Sequence, residues 1–318
     1  MRPPDDASLL RQPAADAIRW LTQDLPRFAP QNDGTPRGAS VKRLAELALA
    51  YIQLESWSKV ACREGCAVCA GLETALPRWR RFLIEQCEMP AYAEHVRKVP
   101  ARGLDTLLPY LALRARGYRY EFHEESLRRL EESGLLDVAE RGAYRLLEAK
   151  WILWQAGWSV SEPEWRELYL RTSLARRRRL SYVDTIAAYT ATHTVFYITD
   201  FGTRVPGYLA HEAAAVTEVL TSSLIHYWRV HHWDLVAECL LALACVNEQR
   251  SSLEAAAENA LTIRWHKGRL PATRDDENEC QHRETAPRGE SGFRACYHSS
   301  LVGILAVARR HYHRTALG

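Results

Sequence analysis

The segment from Ala191 to Gly202 carries the residues whose types and spacing best suit chemistry. His193, Phe196, Tyr197 and Asp200 follow one another at i, i+3, i+4 and i+7, so on a helix all four lie on one face. An imidazole and a carboxylate that face one pocket suit a general base and a general acid. We therefore take His193, Asp200 and Tyr197 as candidate catalytic residues and Phe196 as a candidate substrate contact. The alternative is structural: an aspartate shortly before a glycine is typical of a turn, which would leave His193 as a core histidine.

Two further groups combine histidine with cysteine or aspartate. The segment 226–234 holds three histidines and ends in Asp234, and Cys239 and Cys245 follow it. Neutral imidazole and thiolate bind zinc, although the spacing matches no named metal motif. A surface loop explains the segment equally well. No metal is favoured, and zinc is the ion to consider.

The second group stands near the end of the chain, where Cys296, Tyr297 and His298 begin a predicted helix. His298 is a further catalytic candidate. Together with Cys239 or Cys245 upstream, Cys296 and His298 loosely resemble the zinc ligands of lanthionine cyclases, which are α/α toroids. The resemblance implies zinc held by two cysteines and a histidine. This chain lacks the Cys-His-Gly triplet and the Trp-Cys-Tyr-Gly element of that family.

A second resemblance rests on two short sequence motifs. His-Thr-x-Phe-Tyr-x-Thr-Asp-Phe-Gly begins at His193, and Tyr-His-x-x-Leu-Val-Gly begins at Tyr297. Both resemble uncharacterised all-helical proteins of bacterial natural-product gene clusters. The resemblance implies a biosynthetic role without naming a reaction.

Three cysteines at positions 62, 66 and 69 have the C-x₃-C-x₂-C spacing of radical S-adenosylmethionine enzymes. Those enzymes place the motif after a strand, whereas the residues before Cys62 are typical of a helix. If the helix continues, the three cysteines share one face and form a buried stripe of small residues. A metal or iron–sulfur cluster is the alternative, since thiolates are soft ligands.

Candidate substrate contacts are aromatic or basic. Ten tryptophans and fourteen tyrosines suit an apolar cavity or simply a core, and the run 176–179 of four arginines suits an anion or a solvated helix end. The metal-binding Asp-Asp-x-x-Asp box of terpene synthases is absent. The predicted substrate-binding residues are Trp154, Phe196, Trp228, Tyr297, Arg177 and Arg178.

Apolar residues at three-four spacing predict an all-α protein made of helical hairpins, arranged as an α/α toroid or a helical-repeat solenoid. The helices expected near the candidate residues span 137–156, 181–199, 208–230, 233–247 and 293–313. Residues 1–38 are expected to form an N-terminal tail, a short helix and a connector. Residues 39–318 are expected to form a single helical domain with a long polar loop at 266–292.

Composition limits the function classes. Forty-two basic against 39 acidic residues give a net charge of +3, which argues against a nucleic-acid-binding protein. Neither a secretory signal nor a membrane span is visible, so we expect a cytoplasmic protein whose cysteines are reduced thiols or ligands and not a disulfide framework. The sequence favours a cyclase or lyase of natural-product biosynthesis, which folds a flexible natural-product, peptide or isoprenoid substrate in an aromatic cavity. The alternative is a non-catalytic helical-repeat module that binds a peptide or a partner enzyme.

Overall fold

The all-α prediction is confirmed by the computed structural model, which describes residues 11–30, 38–61, 66–98, 103–138, 141–158, 164–176, 184–247, 249–281 and 290–316. No strand occurs among these residues, and one isolated β-bridge joins His266 to Arg269. The helices are α1 (Arg11–Gln23), α2 (Gly38–Ala61), α3 (Ala67–Glu88), α4 (Pro90–Lys98), α5 (Gly103–Arg114), α6 (Glu121–Glu132), α7 (Leu135–Val138), α8 (Ala143–Gln155), α9 (Trp165–Leu170), α10 (Ser173–Arg176), α11 (Thr185–Ile198), α12 (Gly207–Arg229), α13 (Trp233–Val246), α14 (Ser252–Arg264), α15 (Arg274–Gln281), α16 (Glu290–Arg294) and α17 (Tyr297–Ala316). A 3₁₀ helix spans Leu25–Phe28.

Helix α13 lies at the centre of the domain. Every residue from Trp233 to Cys245 is buried, and the helix packs against α11, α12, α14 and α17. A helix that is apolar nearly all round is stable only when it is enclosed in this way. Two polar residues, Asp234 and Glu238, are therefore carried into the core with it. Whether the helical hairpins form a ring or a solenoid stays a prediction.

The helices around α13 form one continuous core. α2 packs against α3, α5 and α17, and α8 packs against α5, α9 and α11. α1 packs against α3 and α17, where Ala14, Ala17 and Leu21 are fully buried. The first described helix therefore belongs to the same core as the helices that follow residue 38.

The polar segment 266–292, expected as one long loop, is helical in part. α15 occupies Arg274–Gln281, and Trp233 Nε1 donates a hydrogen bond of 2.7 Å to Glu277 on it. The turn before it passes close to α1, because a side chain at Gly268 (φ +80°) would meet the carbonyl oxygen of Asp16 at 2.5 Å. The segment is thus anchored at its start, while residues 282–289 lie outside the described residues.

The expectation of one helix through the cysteines at 62, 66 and 69 is wrong. α2 ends at Ala61, and Cys66 is the extended N-cap residue of α3 with φ −81° and ψ 115°. The backbone therefore leaves helical dihedrals at Cys66, directly before α3, and Cys62 lies outside the described residues. Among the described residues, no helix is both long and apolar enough to span a bilayer.

Candidate active site

A cavity of about 880 Å³ lies beside α13 and receives side chains from α2, α5, α8, α11 and α17. Most of its wall is apolar, and charged residues also line it. The apolar wall includes Val41, Ala45, Leu49, Leu108, Phe196, Phe201, Leu241, Leu301, Val302 and Leu305. The ionisable residues that line it include Glu46, Glu148, Tyr189, His193, Tyr197, Glu238 and His298. Its volume and mixed lining are those of a small-molecule site.

Helix α11 presents three of the predicted residues to this cavity. His193, Phe196 and Tyr197 line it, as their helical spacing predicts. Asp184 caps the start of this helix, since its carboxylate accepts a hydrogen bond of 2.7 Å from Ala187 N. The other end is set by a turn, which begins after Ile198.

The expectation that Asp200 faces the same pocket is wrong, because α11 has already ended there. Asp200 and Phe201 have φ angles of 49° and 51°, and Gly202 follows at 82°, so three successive residues adopt left-handed dihedrals. The turn brings Phe201 back to the cavity, where its ring stacks on Phe196 at 5.2 Å between centroids. Glycine is required at position 202, since a Cβ there would meet the Arg309 guanidinium at 2.4 Å.

The Asp200 carboxylate anchors the turn to α8. Its Oδ1 accepts hydrogen bonds from Trp151 Nε1 at 2.8 Å and Gln155 Nε2 at 2.7 Å, and its Oδ2 accepts one from Thr203 at 2.7 Å. A carboxylate with both oxygens engaged is a structural cap. Asp200 is therefore the turn residue of the alternative interpretation, not a group available for proton transfer.

Glu238, which sequence reasoning did not single out, stands between the two candidate histidines. Its side chain is 1% exposed. Oε2 lies 3.4 Å from His193 Nδ1, and Oε1 lies 3.5 Å from His298 Nε2. Thr192 also donates a hydrogen bond to Oε2. One buried carboxylate thus links two imidazoles that come from helices α11 and α17.

The hydrogen bonding of His193 fixes which of its nitrogens carries a proton. Nδ1 lies 2.8 Å from the carbonyl oxygen of Tyr189, which can only accept, so Nδ1 is the donor. The rings of Tyr144, Phe196 and Tyr197 surround the imidazole at 5.6–6.1 Å between centroids. No hydrogen bond to Nε2 occurs within the described part of the chain. Nε2 is therefore the nitrogen that can exchange a proton with a molecule in the cavity.

His298 lies at the start of α17 in the middle of three carboxylates. Nδ1 is 3.3 Å from Glu46 Oε1, and Nε2 is 3.7 Å from Asp234 Oδ1 in addition to its contact with Glu238. Two of the carboxylates are held by tyrosines: Tyr189 donates to Asp234 Oδ2 at 2.5 Å, and Tyr297 donates to Glu46 Oε2 at 2.7 Å. Lys42 Nζ also lies 3.4 Å from Glu46 Oε1, so with both imidazoles protonated three positive charges face the three carboxylates.

Burial and charge act against each other on the pKa values of this cluster. Burial favours the neutral imidazole of His298, but Asp234 and Glu46, aided by Glu238, outweigh it and raise its pKa well above the usual value. For His193, burial is likewise outweighed, chiefly by Glu238, and its pKa is raised. The cluster therefore favours imidazolium at both positions.

The three carboxyl groups respond in two ways. Burial acts to raise the pKa of Glu238, but His193 and His298 lower it to about 2. Burial likewise acts to raise the pKa of Glu46, while His298 and Lys42 lower it to about 2. The pKa of Asp234 is raised, because burial and the adjacent Glu238 exceed the effect of His298. Asp234 is thus the carboxyl group of the cluster that most readily takes up a proton.

A second ion pair, between Arg145 and Glu148, holds the hydroxyl of Tyr197. Its hydroxyl donates to Glu148 Oε1 at 2.6 Å, and Arg145 Nη1 donates to Glu148 Oε2 at 2.7 Å. Burial, followed by the Glu148 charge, raises the pKa of Tyr197 well above its usual value. Tyr197 therefore stays a neutral hydroxyl, and its own proton is engaged by Glu148.

Three other predicted substrate contacts, all of them aromatic, lie outside the cavity lining. Trp154 packs edge-on against Trp165 at 5.7 Å, with the Arg204 guanidinium over its ring, and Trp228 is half-buried against the core. Tyr297 acts through Glu46 and stacks on Phe293 at 5.3 Å. Arg177 and Arg178 lie outside the described residues.

The residues named as ligands if zinc were bound, Cys296, His298, Cys239 and Cys245, do not form one donor group among the described residues. Cys296 is disulfide-bonded, which also corrects the expectation that the cysteines are reduced thiols or ligands. Cys239 and Cys245 are fully buried in α13, and burial raises the pKa of the Cys245 thiol to about 11, so neither is a ready thiolate. The donor atoms of Asp234, Glu238 and His298 lie within 4.8 Å of one another, but the geometry above assigns them to ion pairs.

The residues missed by sequence reasoning share one signal. Glu46, Glu148 and Glu238 each stand as a carboxylate within a helical stretch that is otherwise largely apolar. A charge carried into a core must be paired, because an unpaired buried charge is very costly. Such isolated carboxylates can be selected as candidates from the sequence. The residues that pair with them cannot, because they lie on other helices.

We expect the cluster to give the stability of the protein a characteristic pH dependence. The lowered pKa of Glu238 and Glu46 stabilises the fold above their usual value of 4.5, and this contribution is lost as the pH falls toward about 2. The raised pKa of His193 and His298 stabilises the fold below 6.5 and loses its effect as the pH rises through the folded values. The ion pairs of the cluster should therefore raise the melting temperature most between about pH 4.5 and pH 6.5, where the carboxylates and both imidazoles are charged in the folded protein.

The matched control for this prediction is Glu238→Gln, which keeps the shape of the side chain and removes its charge. Its melting temperature should lie furthest below that of the unaltered protein near pH 5.5, and the difference should shrink toward both pH extremes. A difference that stays constant from pH 3 to pH 9 would show that Glu238 is not ion-paired in the folded state.

These features define a class: an all-α protein with a largely apolar cavity in which two histidines share a buried glutamate. The matching family model is described as a domain of unknown function, DUF6895, and it covers residues 14–308. The chain belongs to this family. No significant match was found among curated proteins or among solved structures.

Proposed function

We propose that this chain is an enzyme of the cyclase or lyase type that acts on a flexible, mainly apolar small molecule by acid–base catalysis. The observation that carries the proposal is the state of His193. Its Nδ1 is held by the Tyr189 carbonyl and by Glu238, and this leaves Nε2 for the cavity. A histidine oriented by a buried carboxylate in this way is the arrangement that proton-transferring enzymes use.

The proposed step begins with His193 as imidazolium. Nε2 donates its proton to a double bond or to a leaving group of the substrate, and the neutral imidazole then takes a proton from an adjacent carbon. Cyclisation or isomerisation returns the proton to the enzyme, and elimination releases it with the leaving group, so protons balance in each case. Glu238 stabilises the charged ring throughout, and it acts as a positioning residue.

The cavity walls support an apolar substrate. Phe196, Phe201 and Tyr144 offer ring faces within the lining, and such faces stabilise positive charge that develops on a substrate. Apolar side chains from α2 and α17 line it as well. A volume of about 880 Å³ admits a molecule of the size of a sesquiterpene, a short peptide or a small polyketide.

The test uses solvent deuterium, because proton transfer to carbon exchanges hydrogen with water. Purified protein is incubated in ²H₂O with fractionated small-molecule extracts and with panels of isoprenoid, acyl and peptide compounds, and mass spectrometry finds the products. We expect at least one compound to be converted with uptake of deuterium by the unaltered protein and not by His193→Gln.

Two outcomes would contradict the proposal. Conversion at equal rates by His193→Gln would remove His193 from the chemistry. Compounds that bind, as native mass spectrometry detects, but that neither change nor gain deuterium would instead support the non-catalytic binding module.

A further inference from the structure

A cysteine pair and a histidine that the proposed reaction does not use meet on the other side of the fold. Cys66 is the N-cap of α3 and Cys69 lies in its first turn, and both side chains are buried. His311 lies on α17, 242 residues further along the chain than Cys69. The packing of α1 against both α3 and α17 helps to bring these distant segments together.

The distances between the donor atoms are those of a metal site. Cys69 Sγ lies 3.8 Å from His311 Nε2, and the three donor atoms of Cys66, Cys69 and His311 all lie within 4.8 Å of one another. Zinc bonds of about 2.3 Å to sulfur and 2.0–2.1 Å to nitrogen, at a tetrahedral angle, place the two ligand atoms about 3.5 Å apart. A zinc ion therefore fits this group with only small side-chain movements.

The two cysteines lie at the N-terminal end of a long helix. α3 is 22 residues long, and the positive end of its dipole faces the two cysteines. Two cysteines separated by two residues at a helix start are a usual arrangement for holding soft metals. Neither Cys66 nor Cys69 is part of a disulfide bond.

We infer that Cys66, Cys69 and His311 bind a structural zinc ion, with a fourth position for water or another ligand. Two thiolates neutralise the charge of Zn²⁺, so the ion can lie in this largely buried place. The ion joins the start of α3 to the last turns of α17. It is separate from the acid–base cluster, which offers oxygen and nitrogen donors but no sulfur.

The experiment measures metal content and cobalt spectra of the full chain. After reconstitution with Zn²⁺ and desalting, elemental analysis should find about one zinc per chain in the unaltered protein. Replacement of zinc by Co²⁺ should produce thiolate-to-cobalt charge-transfer absorption in the near ultraviolet. Cys69→Ala and His311→Ala should lose the bound zinc and the cobalt absorption.

Two controls give the test its specificity. Cys87→Ala removes another buried free cysteine from the same helix and should keep both the zinc and the cobalt absorption. Glu238→Gln should keep them as well, since loss of metal in that variant would place the ion in the acid–base cluster.

A further measurement on the unaltered protein tests the inference even if the substituted variants do not fold. Chelation of the unaltered protein should lower its melting temperature, and added zinc should restore it, because an ion that binds only the folded state stabilises that state. The inference is overturned by a reconstituted protein without stoichiometric zinc, by Cys69→Ala retaining the metal, or by thiol titration that finds Cys66 and Cys69 joined in a disulfide.

Discussion

Replacing His193 with glutamine is expected to lower the rate of substrate conversion by about 10²–10⁴-fold, the usual contribution of a positioned acid–base group. Glutamine can still donate a hydrogen bond to the Tyr189 carbonyl, but it cannot exchange a proton at neutral pH. The fold should remain intact, because the helix and its aromatic neighbours are unchanged. The rate is measured as the entry of solvent deuterium into the product found for the unaltered protein.

The matched control is His226→Gln, which changes an exposed histidine in the last turn of α12 and should leave the rate unchanged. The proposed activity of the unaltered protein should also fall as the pH rises through the raised pKa of His193, since the imidazolium is the form that donates. A folded His193→Gln protein with full activity would exclude this residue from catalysis.

Replacing Trp151 with alanine is expected to destabilise the protein by about 3–5 kcal/mol, the range found when a buried aromatic side chain is removed. Trp151 is completely buried, and its ring lies 5.5 Å from the rings of both Tyr197 and Phe201. Its Nε1 also donates to Asp200, so the substitution removes a support of the turn after α11. The free energy of unfolding is measured by urea denaturation.

Trp151→Phe separates packing from hydrogen bonding in this prediction. Phenylalanine keeps most of the ring and loses the donor, and Gln155 still donates to the same oxygen of Asp200, so the loss should be smaller than for alanine. Trp228→Ala serves as the control, because that tryptophan is half-buried and lies outside the cavity. Equal losses for Trp151→Ala and Trp228→Ala would contradict the assignment of Trp151 to the core beneath the site.

The sequence by itself determined the helical class and much of the position of His193. Three-four spacing of apolar residues depends only on neighbours along the chain, and the predicted helix 181–199 agrees with Thr185–Ile198 within a few residues. The same spacing correctly placed His193, Phe196 and Tyr197 on one face. It failed at Asp200, because a turn with three left-handed residues ended the helix before the next periodic position.

Only the tertiary structure decided which groups act together. Glu46, His193, Glu238 and His298 come from four helices, and their meeting depends on how α2, α11 and α17 pack around α13. Cys69 and His311 likewise meet across 242 residues, although the cysteine pattern was visible and its expected helix was wrong. The periodicity of apolar residues shows which face of a helix is buried. It does not show which other helix packs against that face. The packing partners depend on shape and charge complementarity in the folded core. There the isolated carboxylates pair with imidazoles, and this pairing offsets the free-energy cost of burying them.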